Sequence, residues 1–183
     1  MNKFRFYYPK LNKKQKKFEN MLIKLHNAKD EMNRLSLAQE ALSFATYNGT
    51  GYFYSTQLEK FYTDLANKYD ISSYYTKYKP NSFLHVMTTC YSTSGHTRVV
   101  ERWIGQSGKE ERHSVVLLNQ EFECIPDLLK VNVKEKNGDF IVFNSDETQI
   151  KKALELRKIA LNYEYVILHT HMDDPIATIA FGT

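Results

Sequence analysis

The chain has 183 residues, of which 42% are hydrophobic and 25% charged, a globular composition for one domain or a small domain with an accessory segment. No apolar run approaches the ~20 residues of a membrane span, and the N-terminus lacks the apolar core of a secretory signal. The two cysteines, Cys90 and Cys124, cannot form a disulfide framework. We therefore expect a reducing, cytoplasmic setting.

The net charge of +4 is unevenly distributed along the chain. Residues 1–80 contain 14 Lys and Arg against 7 Asp and Glu, whereas residues 81–183 contain 11 against 14. Ten of the 13 tyrosines also lie in residues 1–80. This asymmetry predicts a basic, Tyr-rich accessory segment over 1–80 and a second domain over 81–183.

The accessory segment has the pattern of three helices between residues 11 and 70. The first carries one apolar stripe with the i, i+3, i+4, i+7 spacing of a helix, formed by Phe18, Met21, Leu22 and Leu25. The second and third are predicted to begin with capping boxes at Ser36 and Thr56. A turn over residues 48–51 separates these two helices.

A basic cluster opens the first helix. Its members are Lys10, Lys13, Lys14, Lys16 and Lys17, and they follow the aromatic residues Phe4, Phe6, Tyr7 and Tyr8. One interpretation is a solvated helix face, and the other is a contact with an anionic surface, either membrane headgroups or nucleic acid. The aromatic residues favour the inner face of a membrane. They do not match the aromatic strand motif of RNA-binding domains, so we expect no nucleic-acid partner.

Strands and helices alternate after residue 80. Strands are predicted over 83–89, 113–118, 140–143 and 165–169, the last being the clearest buried strand. Helices are predicted over 98–106 and 147–161, a short helix or turn over 128–133, and a last helix from Asp174 as N-cap with Pro175 as its first residue. This order builds parallel sheets, so the predicted fold class is α/β.

The two longer helices are expected to direct one side toward the core. On the helix over 98–106 the inward residues are predicted to be Val99, Val100, Trp103 and Ile104. On the helix over 147–161 they are predicted to be Ile150, Leu154, Arg157 and Leu161.

Two polar loops are expected at the carboxyl edge of the sheet, where open parallel sheets bind ligands. The loop over 90–97 places Gly95 immediately before a helix. A glycine lets the backbone approach a ligand closely, and the helix start offers free N–H groups to an anion. The alternative is structural, with Gly95 allowing a tight turn and Thr97 capping the helix. The pattern alone leaves both interpretations open.

The second loop, over 169–174, contains His169 and His171. If the strand continues, both lie on one face, and with Asp173 and Asp174 they offer a ligand set for zinc, iron or manganese. This H-x-H also resembles the opening motif of PHP-type metallophosphoesterases, which favours a metal-dependent hydrolase. The alternative is one buried histidine, one exposed histidine and an aspartate that caps a helix. His85 lies within a strand and is interpreted as a core histidine with satisfied hydrogen bonds.

Two segments together resemble bacterial GT-B glycosyltransferases of the group 1 type. The segment 84–103, from Leu84-His85-Val86-Met87-Thr88 through Ser94-Gly95-His96-Thr97-Arg98 to Trp103, resembles their first βα unit. The segment 166–175, Val-Ile-Leu-His-Thr-His-Met-Asp-Asp-Pro, resembles a later strand and loop of the same N-terminal Rossmann-like domain. The likeness covers residues 83–183 in order, while residues 1–80 lie outside it.

The resemblance implies a Rossmann-like parallel sheet that supplies the acceptor side of a cleft. It implies that a sugar moves from a nucleotide-sugar to a saccharide or other surface-polymer acceptor, with no cofactor or metal. Residues facing the cleft would be Gly95, His96, Thr97, Arg98, His169, His171 and Asp173. His96 or His171 would serve as acid or base, and Arg98 would stabilise the departing nucleoside diphosphate.

The family pattern also differs from this sequence. Ser94 stands where many relatives have a second glycine. The C-terminal, donor-binding domain of GT-B enzymes has no counterpart in residues 1–183. We therefore expect the chain to be truncated at its C-terminal end and inactive without that domain. A further alternative is a non-enzymatic Rossmann-like binding module with a basic surface.

Overall fold

The computed structural model describes residues 8–69 and 77–182. The chain divides into two compact units, Met1–Leu65 and Ala66–Thr183. None of the described helices is long and apolar enough to cross a membrane. Of the aromatic residues that precede the basic cluster, Phe4, Phe6 and Tyr7 lie outside the described residues.

Helices build the first unit. They are α1 (Tyr8–Asn27), α2 (Glu31–Asn48) and α3 (Thr56–Asn67), the last of which extends past the unit boundary. The predicted stripe of α1 buries Phe18, Met21 and Leu25. The buried apolar residues from α2 and α3 within this unit are Leu35, Ala38, Ala41, Leu58, Phe61, Tyr62 and Leu65. The helical prediction for this segment is therefore confirmed.

The starts of α2 and α3 differ from the predicted capping boxes. Helix α2 begins at Glu31, because the Asp30 side chain accepts a hydrogen bond from Asn33 N at 2.7 Å. At α3 the Ser55 hydroxyl accepts from Leu58 N at 3.4 Å, so the cap precedes Thr56. The predicted turn after α2 is confirmed, and Gly49 ends that helix with the left-handed φ of 54° that favours glycine.

The second unit contains a four-stranded, all-parallel sheet. Its elements are β1 (Lys79–Met87), α4 (Gly95–Gln106), β2 (Arg112–Leu117), α5 (Asp127–Glu135), β3 (Phe140–Val142), α6 (Gln149–Ala160), β4 (Tyr163–His169) and α7 (Ile176–Phe181). The strand order is β3-β2-β1-β4, which places β1 and β2 in the centre. The fold is Rossmann-like α/β, as predicted.

Side chains alternate across this sheet, and the two faces pack against different helices. On one face lies an apolar cluster whose members come from β1, β2, α4 and α5 and from the loops beside them: Met87, Cys90, Val100, Ile104, Val115, Leu117, Ile125, Leu129 and Val133. On the other face Leu84, Val86 and Val116 are fully buried. Helix α4 connects β1 to β2, and α6 connects β3 to β4 in the opposite direction across the sheet. Right-handed crossovers therefore put α4 and α6 on opposite faces.

The predicted inward side of α4 is wrong in part. Val100 and Ile104 are fully buried, but Val99 and Trp103 are 57% and 42% exposed, and Thr97 takes the third inward position. The buried face of α4 therefore runs through Thr97, Val100 and Ile104, and the helix begins at Gly95 rather than at Arg98.

The predicted sides of α6 and β4 also need correction. Helix α6 buries Lys152, Ala153, Leu156 and Arg157, so of the predicted stripe only Arg157 is buried. Strand β4 is half-exposed rather than the best-buried strand, with Tyr165 and Leu168 each 49% exposed. The reason is its position at an edge of the described sheet, with a strand neighbour on one side only.

Candidate functional site

The candidate site lies where the strand order reverses. Strands β1 and β4 are neighbours, paired from Phe83 with Tyr165 to Met87 with His169. Their carboxyl ends meet at one edge. The helix that follows β1, α4, and the helix that precedes β4, α6, lie on opposite faces of the sheet. Such a switch point leaves a crevice outside the strand ends, which is the usual ligand site of open α/β sheets. Both predicted loops begin there.

Thr88 ties the two loops together. Its hydroxyl donates to Asp174 Oδ2 at 2.6 Å and accepts from the backbone N–H of His171 at 3.0 Å. The other carboxylate oxygen of Asp174 accepts from Ile176 N at 3.0 Å. Asp174 thus satisfies the start of α7, although the helix begins one residue later than predicted, after Pro175. These bonds fix the backbone around His171.

The loop after β1 is held by residues that do not face a ligand. Thr97 is fully buried, and its hydroxyl accepts from Tyr91 N at 3.0 Å. Gln120 brackets Cys90, since its side chain accepts from Cys90 N at 2.5 Å and donates to Cys90 O at 2.8 Å. Burial raises the pKa of the Cys90 thiol to about 11, so it stays protonated at neutral pH. Thr97 and Gln120 therefore shape the loop.

Gly95 opens α4 beside unoccupied space. A Cβ built at Gly95 meets no atom within 4 Å, and the residue does not have a left-handed φ. Neither the turn nor packing within the protein therefore requires glycine here. His96 and Arg98, in the same helical turn, are both exposed. The helix start presents free N–H groups together with these two side chains.

The loop after β4 separates the two histidines of the H-x-H pattern. Strand β4 ends at His169, so the alternation that would place both on one face does not reach His171. His171 is exposed, with Nε2 at 3.4 Å from the Thr89 hydroxyl, while Asp173 is half-buried. Within residues 8–69 and 77–182, no three His, Cys, Asp or Glu side chains are arranged to hold a metal ion.

Three strands contribute a row of hydrogen-bonded histidines, which we call the histidine row: His169, His85 and His113. His85 Nδ1 lies 3.1 Å from His169 Nε2, and His85 Nε2 lies 2.9 Å from His113 Nδ1. The row ends on Glu111, whose Oε2 is 3.2 Å from His113 Nε2. It runs from the carboxyl edge of β4, across β1, to the start of β2.

Aromatic rings enclose the histidine row. Trp103 of α4 meets His85 edge-on, with ring centroids 5.4 Å apart, and His169 at 6.4 Å. Phe83 stacks on His113 at 4.7 Å and on Tyr165 at 4.9 Å. Trp103 is thus half-exposed because it covers the histidine row instead of entering the apolar cluster.

Burial keeps the histidine row neutral. Desolvation, with smaller contributions from the neighbouring His169 and His113, lowers the pKa of His85 to about 3. Desolvation also lowers the pKa of His113, an effect that the bond to Glu111 partly opposes. The pKa of His169 is lowered by burial and then by His96, which places His96 and His169 within electrostatic range.

The sequence pattern does not predict the histidine row. It predicts a core position for His85, which is indeed fully buried, and no role for His113. The signal that the sequence offers is the alternation of side chains along each strand. Because Phe83 pairs with His113, residues 83, 85 and 113 lie on the same face of the sheet, so His85 and His113 share that face. The sequence pattern also does not predict a cleft of about 470 Å³ at the ends of β2 and β3. Its lining includes Asn119, Gln120, Phe143 and Asn144.

Comparison of the chain with protein-family models, with curated proteins and with solved structures gives no match.

Proposed function

We propose that the second unit is the acceptor-side domain of a GT-B glycosyltransferase. Such an enzyme moves a sugar from a nucleotide-sugar to a saccharide or other surface-polymer acceptor. One observation carries the proposal: the two loops that resemble the family leave adjacent parallel strands at the switch point, and Thr88 joins them. Segments distant in sequence thereby form one edge, at the position where open α/β sheets bind ligands.

The residues at this edge suit the proposed chemistry. The open space at Gly95 and the free N–H groups of α4 would accept an anionic diphosphate, and Arg98 would add positive charge. His96 and His171 are exposed and can exchange protons with sugar hydroxyls. His169 and Asp173 would bind hydroxyls by hydrogen bonds. Thr97, being buried, would support the loop and not touch substrate.

The proposal includes a second Rossmann-like domain for most nucleotide-sugar contacts, as in the family that the sequence resembles. Binding is therefore the property to measure on the 183-residue chain. Backbone NMR spectra would be recorded while UDP-sugars, GDP-sugars and free saccharides are added. We expect weak binding, with shifts concentrated at residues 94–98 and 169–174. Shifts elsewhere, or none with any compound, would contradict the proposal.

A matched pair of variants sharpens this titration. Thr88→Val keeps the side-chain shape but removes the hydroxyl that joins the loops, so we expect the shifts at both loops to weaken together. Thr93→Val makes the same change at an exposed position of the first loop and should leave binding unchanged. Elemental analysis of the purified protein tests the hydrolase alternative, because stoichiometric zinc or manganese would favour it.

A membrane contact through α1 is also part of the proposal. The five lysines from Lys10 to Lys17 are all exposed, and one of them, Lys17, lies 4.6 Å from the Phe44 ring centroid. Each lysine near an anionic surface contributes about 1 kcal/mol. We expect the chain to sediment with vesicles containing phosphatidylserine and not with phosphatidylcholine vesicles. Changing the five lysines to glutamine should abolish sedimentation, and equal sedimentation with both vesicles would exclude this contact.

A further inference from the structure

The histidine row is directional. Each contact between two neutral imidazoles needs one N–H and one lone pair, and a neutral imidazole has one of each. His85 contacts a histidine through both nitrogens, so it donates to one neighbour and accepts from the other. Two arrangements satisfy the row, and they differ in which nitrogen of His169 carries the proton.

Glu111 selects between these arrangements. An ionised carboxylate can only accept a hydrogen bond, so His113 donates to it through Nε2 and keeps a lone pair on Nδ1. His85 must then donate to His113 through Nε2 and accept at Nδ1. His169 consequently donates through Nε2, which leaves its Nδ1 without a proton.

The surroundings of the row favour neutral imidazoles, which this direction requires. Lys136 lies within electrostatic range of His113 and, like burial, disfavours a second proton there. His96 of α4 likewise disfavours a second proton on His169. Trp103 and Phe83, the aromatic neighbours, present ring contacts to the row. Among the described residues, none donates a hydrogen bond to His169 Nδ1.

We propose that Glu111, acting through His113 and His85, fixes the tautomer of His169, so that His169 offers an unprotonated Nδ1 at the carboxyl edge of the sheet. Glu111, His113 and His85 are then positioning residues, and His169 is the residue that meets a ligand. The ligand group that fits is a hydrogen-bond donor, such as a hydroxyl. Only the identity of that group, a sugar hydroxyl, rests on the proposed function.

Imidazole ¹⁵N spectra of the 183-residue chain test this directly, because protonated and unprotonated ring nitrogens resonate separately. The protein has six histidines, and His169→Asn identifies the signals of His169. At pH 7 we expect His85, His113 and His169 all to be neutral with the proton on Nε2. A proton on Nδ1 of His169 in the unsubstituted protein would overturn the proposal.

Substitution of Glu111 is the decisive step. Glu111→Lys replaces an acceptor by a donor, so His113 Nε2 must accept and the whole row should reverse, moving the proton of His169 to Nδ1. Glu110→Lys makes the same charge change at the neighbouring exposed position and should change no tautomer. If His169 keeps its proton on Nε2 in Glu111→Lys, the proposal is overturned, whether or not His113 responds.

A milder variant covers the case in which Glu111→Lys fails to fold. Glu111→Gln retains the shape and can accept or donate, so both tautomers of His169 should be populated. Glu110→Gln should show one. A single Nε2-protonated form in both glutamine variants would overturn the proposal. No sugar or nucleotide enters these measurements, so their failure is distinct from failure of the glycosyltransferase proposal, which the ligand titration decides.

Discussion

The same face of the sheet carries two interiors of opposite chemistry. Toward α5, the apolar cluster packs side chains such as Leu129 and Ile104, both fully buried. Toward β4, the histidine row fills the corresponding layer with imidazoles, of which His85 and His113 are equally inaccessible. The two regions meet on β1, where His85 and Met87 are alternate residues of one strand. The regions also meet on β2, where His113 and Val115 are alternate residues, so the boundary crosses both central strands of the sheet.

The comparison shows how polar groups can be buried without an ion pair at each position. Apolar contacts in the cluster are non-directional, and their contribution scales with the area removed from water. The histidine row depends on each nitrogen having a partner, because an unsatisfied buried nitrogen costs about 1–3 kcal/mol. The cluster should therefore tolerate a change of pH, and the row should not.

Gly138→Ala is expected to have the largest effect on stability, because the added methyl group would collide with the backbone of His113, a member of the histidine row. A Cβ at Gly138 would lie 1.6 Å from the carbonyl oxygen of His113, so the strand that carries His113 must move. We expect a loss of about 3 kcal/mol or more in the free energy of unfolding. Urea unfolding followed by the fluorescence of Trp103, the single tryptophan, measures it. An unchanged midpoint would show that β2 can shift freely.

Leu129→Ala and His85→Leu compare the two interiors at one buried position each. Leu129→Ala creates a cavity in the apolar cluster and should cost about 2–5 kcal/mol. His85→Leu leaves His113 Nδ1 and His169 Nε2 without their hydrogen-bond partner but adds apolar contacts. We therefore expect a smaller loss in the free energy of unfolding, of about 1–3 kcal/mol. The same unfolding assay ranks them. A larger loss for His85→Leu would mean that the hydrogen bonds outweigh packing on this face.

Acidification should destabilise the second unit through the histidine row. The pKa of His85 is about 3 in the folded protein, well below the ordinary value of 6.5. Below that ordinary value the unfolded chain binds a proton that the folded protein does not. Stability is thus lost as the pH falls, by about 2 kcal/mol between pH 7 and pH 5 for His85 alone.

Variants separate this effect from general acid sensitivity. The pH-dependent loss should shrink in His85→Leu and persist in Leu129→Ala, measured by urea unfolding at both pH values. His26→Leu, which removes an exposed histidine of α1, should leave the loss unchanged. A loss of equal size in all three variants would mean that His85 is not its source.

Sequence patterns predicted the elements of the second unit because their signals are local. The alternation of strand and helix, the parallel sheet and the two loops at its edge all follow from residues close in sequence. Helix faces were less predictable. On α6 the buried residues include Lys152, whose Nζ donates to Leu118 O at 2.7 Å, and an apolar periodicity cannot identify a lysine that bonds a strand end.

The site depends on contacts that no local pattern contains. His85, His113 and His169 are brought together by the register of three strands, and that register is fixed only when the sheet forms. The joining role of Thr88 similarly requires Asp174, which is 86 residues away. Strand β4 was expected to be buried because its residues are apolar, but its place at the edge of the described sheet decides its exposure.

Gly95→Ala is expected to have the smallest effect on stability and completes the comparison with Gly138→Ala. Because no atom lies within 4 Å of the added Cβ, we expect the free energy of unfolding to change by less than about 0.5 kcal/mol. The methyl group would instead occupy the open space at the start of α4, where the proposed diphosphate lies. Weaker NMR shifts on addition of nucleotide-sugars, with unfolding unchanged, would therefore assign the glycine to ligand approach. Unchanged shifts would mean that ligands do not approach the backbone at Gly95, and a large loss of stability would mean that the loop requires glycine for its own conformation.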